Sequence, residues 1–119
     1  MDKEAIEQQL KIYTEGLHES DGNRILSVFH PEARIAGYLQ GELMELGRES
    51  LAEITGQQVP SAKDSSEERV CEILSLEISG QTAIARLKTR FMGFDFVDSL
   101  SLIQVDQKWL IYNKLFQVV

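Results

Sequence analysis

The sequence predicts an α+β domain in which helices gathered early in the chain cover one face of a curved antiparallel sheet built from its later half. Three observations carry this. Ile6, Leu10, Tyr13 and Leu17 recur at helical spacing in the opening segment. From Arg69 onward the chain is a series of long runs rich in β-branched and aromatic residues, separated only by Gly80-Gln81, Gly93 and Asp106-Gln107-Lys108, as in consecutive hairpins. Finally, 119 residues suffice for one core but not two, so a single domain over 1–119 is expected.

Each element can be justified in order. Asp2 and Glu4 suit the positive end of the first helix, which should finish near Glu19. Ser20 and Asp21 then offer capping side chains for a shorter helix carrying Ile25, Leu26 and Phe29, closed by Pro31. Arg34–Leu39 and Glu42–Leu46 read as short strands about Gly41, and Arg48–Thr55 as a brief helix ended by Gly56. The polar stretch Gln57–Glu68, with Pro60 and a serine pair, is expected to be the longest loop and mobile, either a lid or a linker. The strands Arg69–Ser79, Thr82–Met92, Phe94–Val105 and Trp109–Val118 follow.

The strand faces are informative. Ala83, Ala85, Leu87, Thr89 and Phe91 alternate with the basic stripe of Arg86, Lys88 and Arg90, so the first set should meet the helices. The last strand is apolar on both sides, with Trp109, Ile111 and Leu115 on one and Leu110, Tyr112, Phe116 and Val118 on the other. A sheet with one solvated face would alternate cleanly, so a second layer is expected outside. In so short a chain that layer is a second copy, giving a homodimer through the sheet face.

Composition narrows the function classes. A net charge of -7 argues against non-specific nucleic-acid binding, which relies on Lys and Arg contacts to phosphate. No run approaches the roughly 20 apolar residues of a membrane span, and the charged start Met1-Asp2-Lys3-Glu4 does not resemble a leader, so a cytoplasmic protein is expected. Cys71 is the only cysteine and reads as a small buried hydrophobe. Nucleotide loops, HExxH and GxSxG are lacking, and His18 and His30 have no zinc-ligand pattern, so neither cofactor nor metal is expected.

Five polar residues are candidates for a site. Asp98 shares a strand face with Phe96, Leu100 and Leu102, where a carboxylate must be paired, neutralised or turned to a cavity. Lys114 on the neighbouring strand is a candidate partner, through a structural ion pair or by steadying developing negative charge. Tyr13 lies on the core face of the first helix, His30 ends the second helix, and Tyr38 either lines an opening or is strand surface. Asp98 and His30 are taken as catalytic candidates, and Tyr13, Tyr38 and Lys114 as ligand-binding ones.

The residues Asp21, Phe29-His30-Pro31-Glu32-Ala33, Gly41-Glu42-Leu43, Ile78-Ser79-Gly80, Phe96-Val97-Asp98-Ser99-Leu100 and Trp109-Leu110-Ile111, followed by Asn113-Lys114 and Phe116, fall in a telling order. In that order and spacing the chain resembles the cone-shaped superfamily named after nuclear transport factor 2, and within it the lumazine-binding and SnoaL-like branches. The resemblance implies a cystatin-like roll, a hydrophobic pocket at the wide end and homodimers through the sheets. It also implies a range of functions, from ketosteroid isomerases, scytalone dehydratase and polyketide cyclases to non-catalytic modules, so fold leaves function open. The early strand Arg34-Ile35-Ala36-Gly37-Tyr38 lacks the Asp that an isomerase base would require, and His18 should leave the apolar helix face.

The leading expectation is therefore a small dimeric pocket protein that binds an apolar or aromatic organic molecule. A cofactor-independent isomerase, dehydratase or cyclase, with Asp98 as base and Tyr13 or His30 as acid, is the alternative. A third possibility is a protein-interaction module whose pocket is filled by side chains.

Overall fold

In the computed structural model, which describes Met1–Val119, helix α1 (Asp2–Glu19) buries the predicted stripe of Ile6, Leu10, Tyr13 and Leu17. Ser20 does not cap the second helix; it closes the first in a left-handed conformation (φ 55°). Asp21 is the cap of α2 (Gly22–Val28), its carboxylate accepting the N–H groups of Asn23 at 3.1 Å and Arg24 at 3.3 Å. That helix ends earlier than expected. Phe29 is already extended (φ -101°, ψ 141°) and opens strand β1 (Phe29–Leu39) while remaining buried. His30 precedes Pro31, and a residue in that position is driven out of helical geometry, so the chain straightens before the proline rather than at it.

The remaining elements are β2 (Glu42–Gly47), α3 (Arg48–Gly56), β3 (Cys71–Ser79), β4 (Thr82–Phe91), β5 (Phe94–Val105) and β6 (Lys108–Val118). They form one curved, unclosed six-stranded sheet in the order β2-β1-β6-β5-β4-β3. The expected meander from β3 to β6 is antiparallel throughout, as is the β1–β2 hairpin, whereas β1 joins β6 in parallel and makes the sheet mixed. The buried residues of α1, α2 and α3 pack on one side of this sheet in a single apolar core that includes Leu87, Leu100, Leu102, Trp109 and Ile111. Ala83 and Ala85 are buried in it, and Cys71 lies at its edge.

The two-faced pattern of β6 has a local cause. Ser101 pairs with Asn113 but Leu102 with Ile111, which leaves Tyr112 without a partner. One extra residue inverts the facing of everything beyond it. Trp109 and Ile111 therefore point inward before the bulge, and Lys114 after it, while Leu115 is turned outward and is 60% exposed. The expectation that Leu115 shares a face with Trp109 and Ile111 is corrected accordingly. On the other flank, β1 takes five residues from Phe29 to Arg34 while β6 takes two from Ile111 to Asn113, so the His30–Ala33 segment bows out against Tyr112. Pro31 sits in that bow, where its missing N–H costs no ladder bond.

The long loop is fastened rather than loose. Ser20 donates to the Gln58 carbonyl at 2.6 Å, Lys63 N–H to the His18 carbonyl at 2.9 Å, and His18 Nε2 to the Glu67 carbonyl at 2.8 Å. The Arg69 guanidinium donates to Thr14 Oγ1 at 3.0 Å just before β3 begins. The loop thus runs as a strap along the C-terminal half of α1. Next to the core, Arg48 ties α3 to the preceding elements by donating to the carbonyls of Leu26 at 3.0 Å and Phe29 at 3.1 Å.

Gly37 shows how tightly β1 approaches β6: a Cβ at this position would overlap both the carbonyl and the ring of Phe116. Gly37→Ala is expected to lower stability by about 1–3 kcal/mol, the usual cost of overpacking, measured as a shift in the urea midpoint at unchanged slope. A variant as stable as the parent would mean that the two strands separate at no cost.

Candidate functional site

The site is assembled from one helix and two strands. Tyr13 comes from the fourth turn of α1, Asp98 from the middle of β5 and Lys114 from β6 just past the bulge. In the sheet Asp98 lies opposite Phe116 and Leu100 opposite Lys114, so the two charged groups are diagonal neighbours on the inner face rather than direct partners. The Tyr13 hydroxyl bridges them. It donates to Asp98 Oδ2 at 2.6 Å and accepts from Lys114 Nζ at 2.5 Å, and Nζ stands 3.8 Å from Oδ2. Asp98 and Tyr13 are wholly buried and Lys114 very nearly so.

Around the triad the surroundings are apolar. The Tyr13 ring meets Phe29 edge-on, with centroids 5.6 Å apart. The Lys114 ammonium lies 5.4 Å from the centre of the Phe116 ring, within reach of its negative face. Asp98 Oδ1 is buried and accepts no hydrogen bond. A carboxylate oxygen left this way is costly, since a buried acceptor forfeits its water without replacement.

Burial moves all three groups toward their neutral forms. It raises the Asp98 carboxyl above its ordinary value of 3.8, against the Lys114 charge and the Tyr13 hydrogen bond, which both favour the carboxylate. It lowers the Lys114 ammonium, against the opposing pull of Asp98. Tyr13 is pushed well above the usual phenol range, first by burial and then by the neighbouring Asp98 charge.

Lys114 also lines a partly open cavity of about 50 Å³ between the helices and the sheet. Its walls are almost entirely apolar: Leu17, Ile35, Leu39, Leu46, Leu51, Ile54, Phe91, Phe96 and Phe116, with Met44 and Met92 among them. Thr89 and Lys114 are the only polar side chains on its surface. Met92 belongs to the turn between β4 and β5, has a positive φ of 54° and is 38% exposed, which places it at the cavity's solvent side.

Of the five residues singled out in the sequence, the structure brings together Tyr13, Asp98 and Lys114. It does not bring His30 or Tyr38 to them. His30 stacks obliquely on Tyr112, with centroids 4.7 Å apart, and its Nδ1 accepts the Glu32 N–H. Tyr38 is 49% exposed on the outer sheet face. His18 leaves the apolar face of α1, as expected. The sequence reading missed Met44 and Met92 as cavity residues; β2 gave no alternation strong enough to mark Met44, and Met92 falls in a turn. Thr89 was on the predicted inner face but was not singled out. No set of three His, Cys, Asp or Glu side chains is grouped to hold a metal ion.

Three helices packed on one side of a curved, unclosed six-stranded mixed sheet are the fold of the proteins related to nuclear transport factor 2. The chain belongs to the family described as "Putative lumazine-binding", whose model matches residues 1–117. Among curated proteins it is similar to aldolase FrzH of a Cladobotryum species, 26% identical over 106 residues that span 87% of this chain and 81% of that protein. Among solved structures it is similar to a nuclear-transport-factor-2-like protein of unknown function from Methylobacillus flagellatus, with 27% identity, a TM-score of 0.86 and coverage of 99% and 92% of the two chains. A protein of the same description from Shewanella baltica matches with 26% identity, a TM-score of 0.84 and coverage of 99% and 94%. A third, from Silicibacter pomeroyi, shares 18% identity at a TM-score of 0.88 with coverage of 99% and 96%, a likeness of fold.

The triad's charges should depend on each other. Lys114→Met leaves Asp98 buried without its cation and is expected to cost about 3–5 kcal/mol, whereas adding Asp98→Asn should recover much of that loss. In Lys114→Met the carboxyl holds its proton more tightly in the folded chain than in the unfolded one. Its contribution is thus full below the ordinary value of 3.8 and is lost as pH rises through the raised folded value. Urea titrations across the acid-to-neutral range would show stability falling with pH; additive single and double variants would mean that the pair is not coupled.

Proposed function

We propose that the protein binds a small apolar or aromatic organic molecule that carries a hydrogen-bond acceptor, in the cavity under α1 and α3. The observation that carries this reading is the presence of Lys114 as the one charged group on a lining that is apolar apart from Thr89. Small-molecule sites are generally apolar with a few fixed polar groups that set orientation. A carbonyl or phenolate oxygen directed at Nζ would gain a charge-assisted hydrogen bond in a medium that strengthens it. The family's description supports ligand binding, and the similarity to a protein named an aldolase supports a carbonyl-bearing ligand, because aldol chemistry takes place beside a carbonyl.

The cavity of about 50 Å³ holds only a water or two as it stands, so a ligand enters with displacement of Met44 and Met92. Both are unbranched and flexible enough to repack at small cost.

A second reading rests on Asp98 Oδ1, the carboxylate oxygen that accepts nothing. A buried carboxylate with a raised pKa and a free lone pair is equipped to take a proton from a bound carbon acid, with Tyr13 as the hydroxyl that returns it. In this reading the protein is a cofactor-independent isomerase, dehydratase or cyclase. Once a substrate is in hand, Asp98→Asn should reduce turnover by about 10²-fold or more while leaving substrate binding nearly unchanged; full activity in that variant sinks the catalytic role.

The partner we propose is a second copy of the chain, docked on the outer sheet face. There Ala36, Leu115, Ser99 and Arg86 form one row across β1, β6, β5 and β4, and Arg34, Asn113, Ser101 and Ile84 the next. Leu115 and Ile84 are 60% and 58% exposed, and such apolar exposure within a basic frame suits a two-fold interface.

Native mass spectrometry of gently purified protein tests both parts. A dimer that retains a small organic molecule is the expected result, with Leu115→Glu shifting it to monomer. A bare protein that also fails to bind any of a panel of aromatic ketones and phenols overturns the ligand reading, and a parent chain that is already monomeric overturns the dimer.

A further inference from the structure

Lys114 is more than a cation on the cavity wall. We propose that its amine is a nucleophile that condenses with an aldehyde or ketone admitted to the cavity, forming an imine held in place by Asp98 and Tyr13. This inference rests on the reading of the cavity as a ligand site and adds a covalent step to it.

The geometry carries the argument. Lys114 Nζ, Tyr13 Oη and Asp98 Oδ2 form a continuous hydrogen-bonded chain with links of 2.5 and 2.6 Å. A proton can pass from Nζ to Oη as the phenol hands its own to Oδ2, which exchanges an ammonium–carboxylate pair for an amine and a carboxylic acid. Burial favours that exchange at both ends, since it weakens the hold of Lys114 on its proton and strengthens that of Asp98. A lysine in an apolar pocket becomes a nucleophile in this way, because only the neutral amine has a lone pair to donate. Asp98 Oδ1 accepts no bond in the resting chain; of the three groups only Lys114 lines the cavity, so Asp98 and Tyr13 act from behind it.

The step balances without an outside reagent. The amine lone pair adds to the carbonyl carbon as the C=O π bond opens onto oxygen, and Tyr13 protonates that oxygen while drawing on Asp98. The resulting carbinolamine loses its hydroxyl as water after a second proton transfer along the same chain. Overall, one ammonium and one carbonyl compound become one iminium and one water. The iminium carries the charge that the ammonium held, so Asp98 ends as the carboxylate opposite a cation, as it began. Tyr13 is neutral throughout, consistent with a phenol driven well above its usual range.

No other lysine has this setting. Lys3, Lys11, Lys63 and Lys108 are exposed, and Lys88 lies on the outer face of β4. Each unit by which an ammonium's pKa falls raises its neutral fraction about tenfold at a pH below both values.

The test uses the whole protein with limiting benzaldehyde and, separately, acetone, each with cyanoborohydride at neutral pH, followed by peptide mapping. Lys114 should be alkylated at least about tenfold faster than Lys3, Lys11, Lys63 or Lys108. Tyr13→Phe keeps the lysine and removes the relaying hydroxyl; circular dichroism would establish that it folds, and its Lys114 labelling should slow relative to the same surface lysines. Benzyl alcohol, which cannot form an imine, separates this inference from the reading beneath it. If benzyl alcohol occupies the cavity by native mass spectrometry but Lys114 labels no faster than the surface lysines with either carbonyl compound, the nucleophilic role is overturned and the pocket stands. If benzyl alcohol does not bind and Lys114 is not labelled, both fall.

Discussion

The single unpaired residue Tyr112 governs the chemistry of this fold. Side chains alternate along a strand, so without an inserted residue the face that buries Trp109 and Ile111 would next bury Asn113 and Leu115. The bulge reverses this and turns Lys114 and Phe116 inward, toward Tyr13 and Asp98. It also sends Leu115 to the outer face, where it joins Ala36 and Ile84. One insertion thus creates both the buried cation and the apolar outer surface. The bowed His30–Ala33 segment of β1 is its geometric complement, since a strand paired in parallel with a bulged neighbour must accommodate the same bend.

Stability alone does not explain why three ionisable groups are buried together. Desolvating a carboxylate and an ammonium costs several kcal/mol for each ion even after relaxation, and a packed hydrophobic replacement is often equally stable. The arrangement here is also incompletely satisfied: Oδ1 has no donor, and the Lys–Asp separation of 3.8 Å is bridged by a phenol rather than closed directly. A purely structural pair would gain from closer contact and full hydrogen bonding. An arrangement that holds a movable proton on short links beside a cavity is better suited to receiving a ligand or doing chemistry. In this sense the energetic cost of the triad is itself an argument for function.

Much of the fold was legible because it is encoded in local periodicity. The α1 stripe, the Asp21 cap and the hairpins from β3 to β6 rest on spacings within a single segment, and so does the burial of Asp98 among Phe96, Leu100 and Leu102. Two further features depend on contacts between distant segments and leave no local trace. The parallel docking of β1 on β6 brings together residues about 80 apart in the chain, and the bulge is a matter of pairing rather than composition. The sequence pattern did register the bulge, as apolar residues on both sides of β6, but that signature is shared with a strand covered on both faces. Tyr13 and Asp98 were visible as polar residues at inward positions and Lys114 as a candidate partner on the neighbouring strand, whereas its inward turn past the bulge and the bridging role of the phenol could be seen only in three dimensions. His30 was misleading for a related reason. A pre-proline histidine after a helical pattern reads as the end of the helix, but here the helix stops short of it and the ring rests on Tyr112.

The strap over α1 and the methionines of the cavity point to where motion belongs. The core strands are braced by long antiparallel ladders, and the loop after α3 is fastened at Ser20, His18 and Thr14, so neither yields readily. Met44 lies on β2, an edge strand with a neighbour on only one side, and Met92 lies on a turn. Opening that requires only an edge strand to shift and two unbranched side chains to change rotamer costs far less than opening that breaks a central ladder. The small volume is therefore the contracted form of a site whose wall can yield on one side, with Lys114 and its two buried partners at the other.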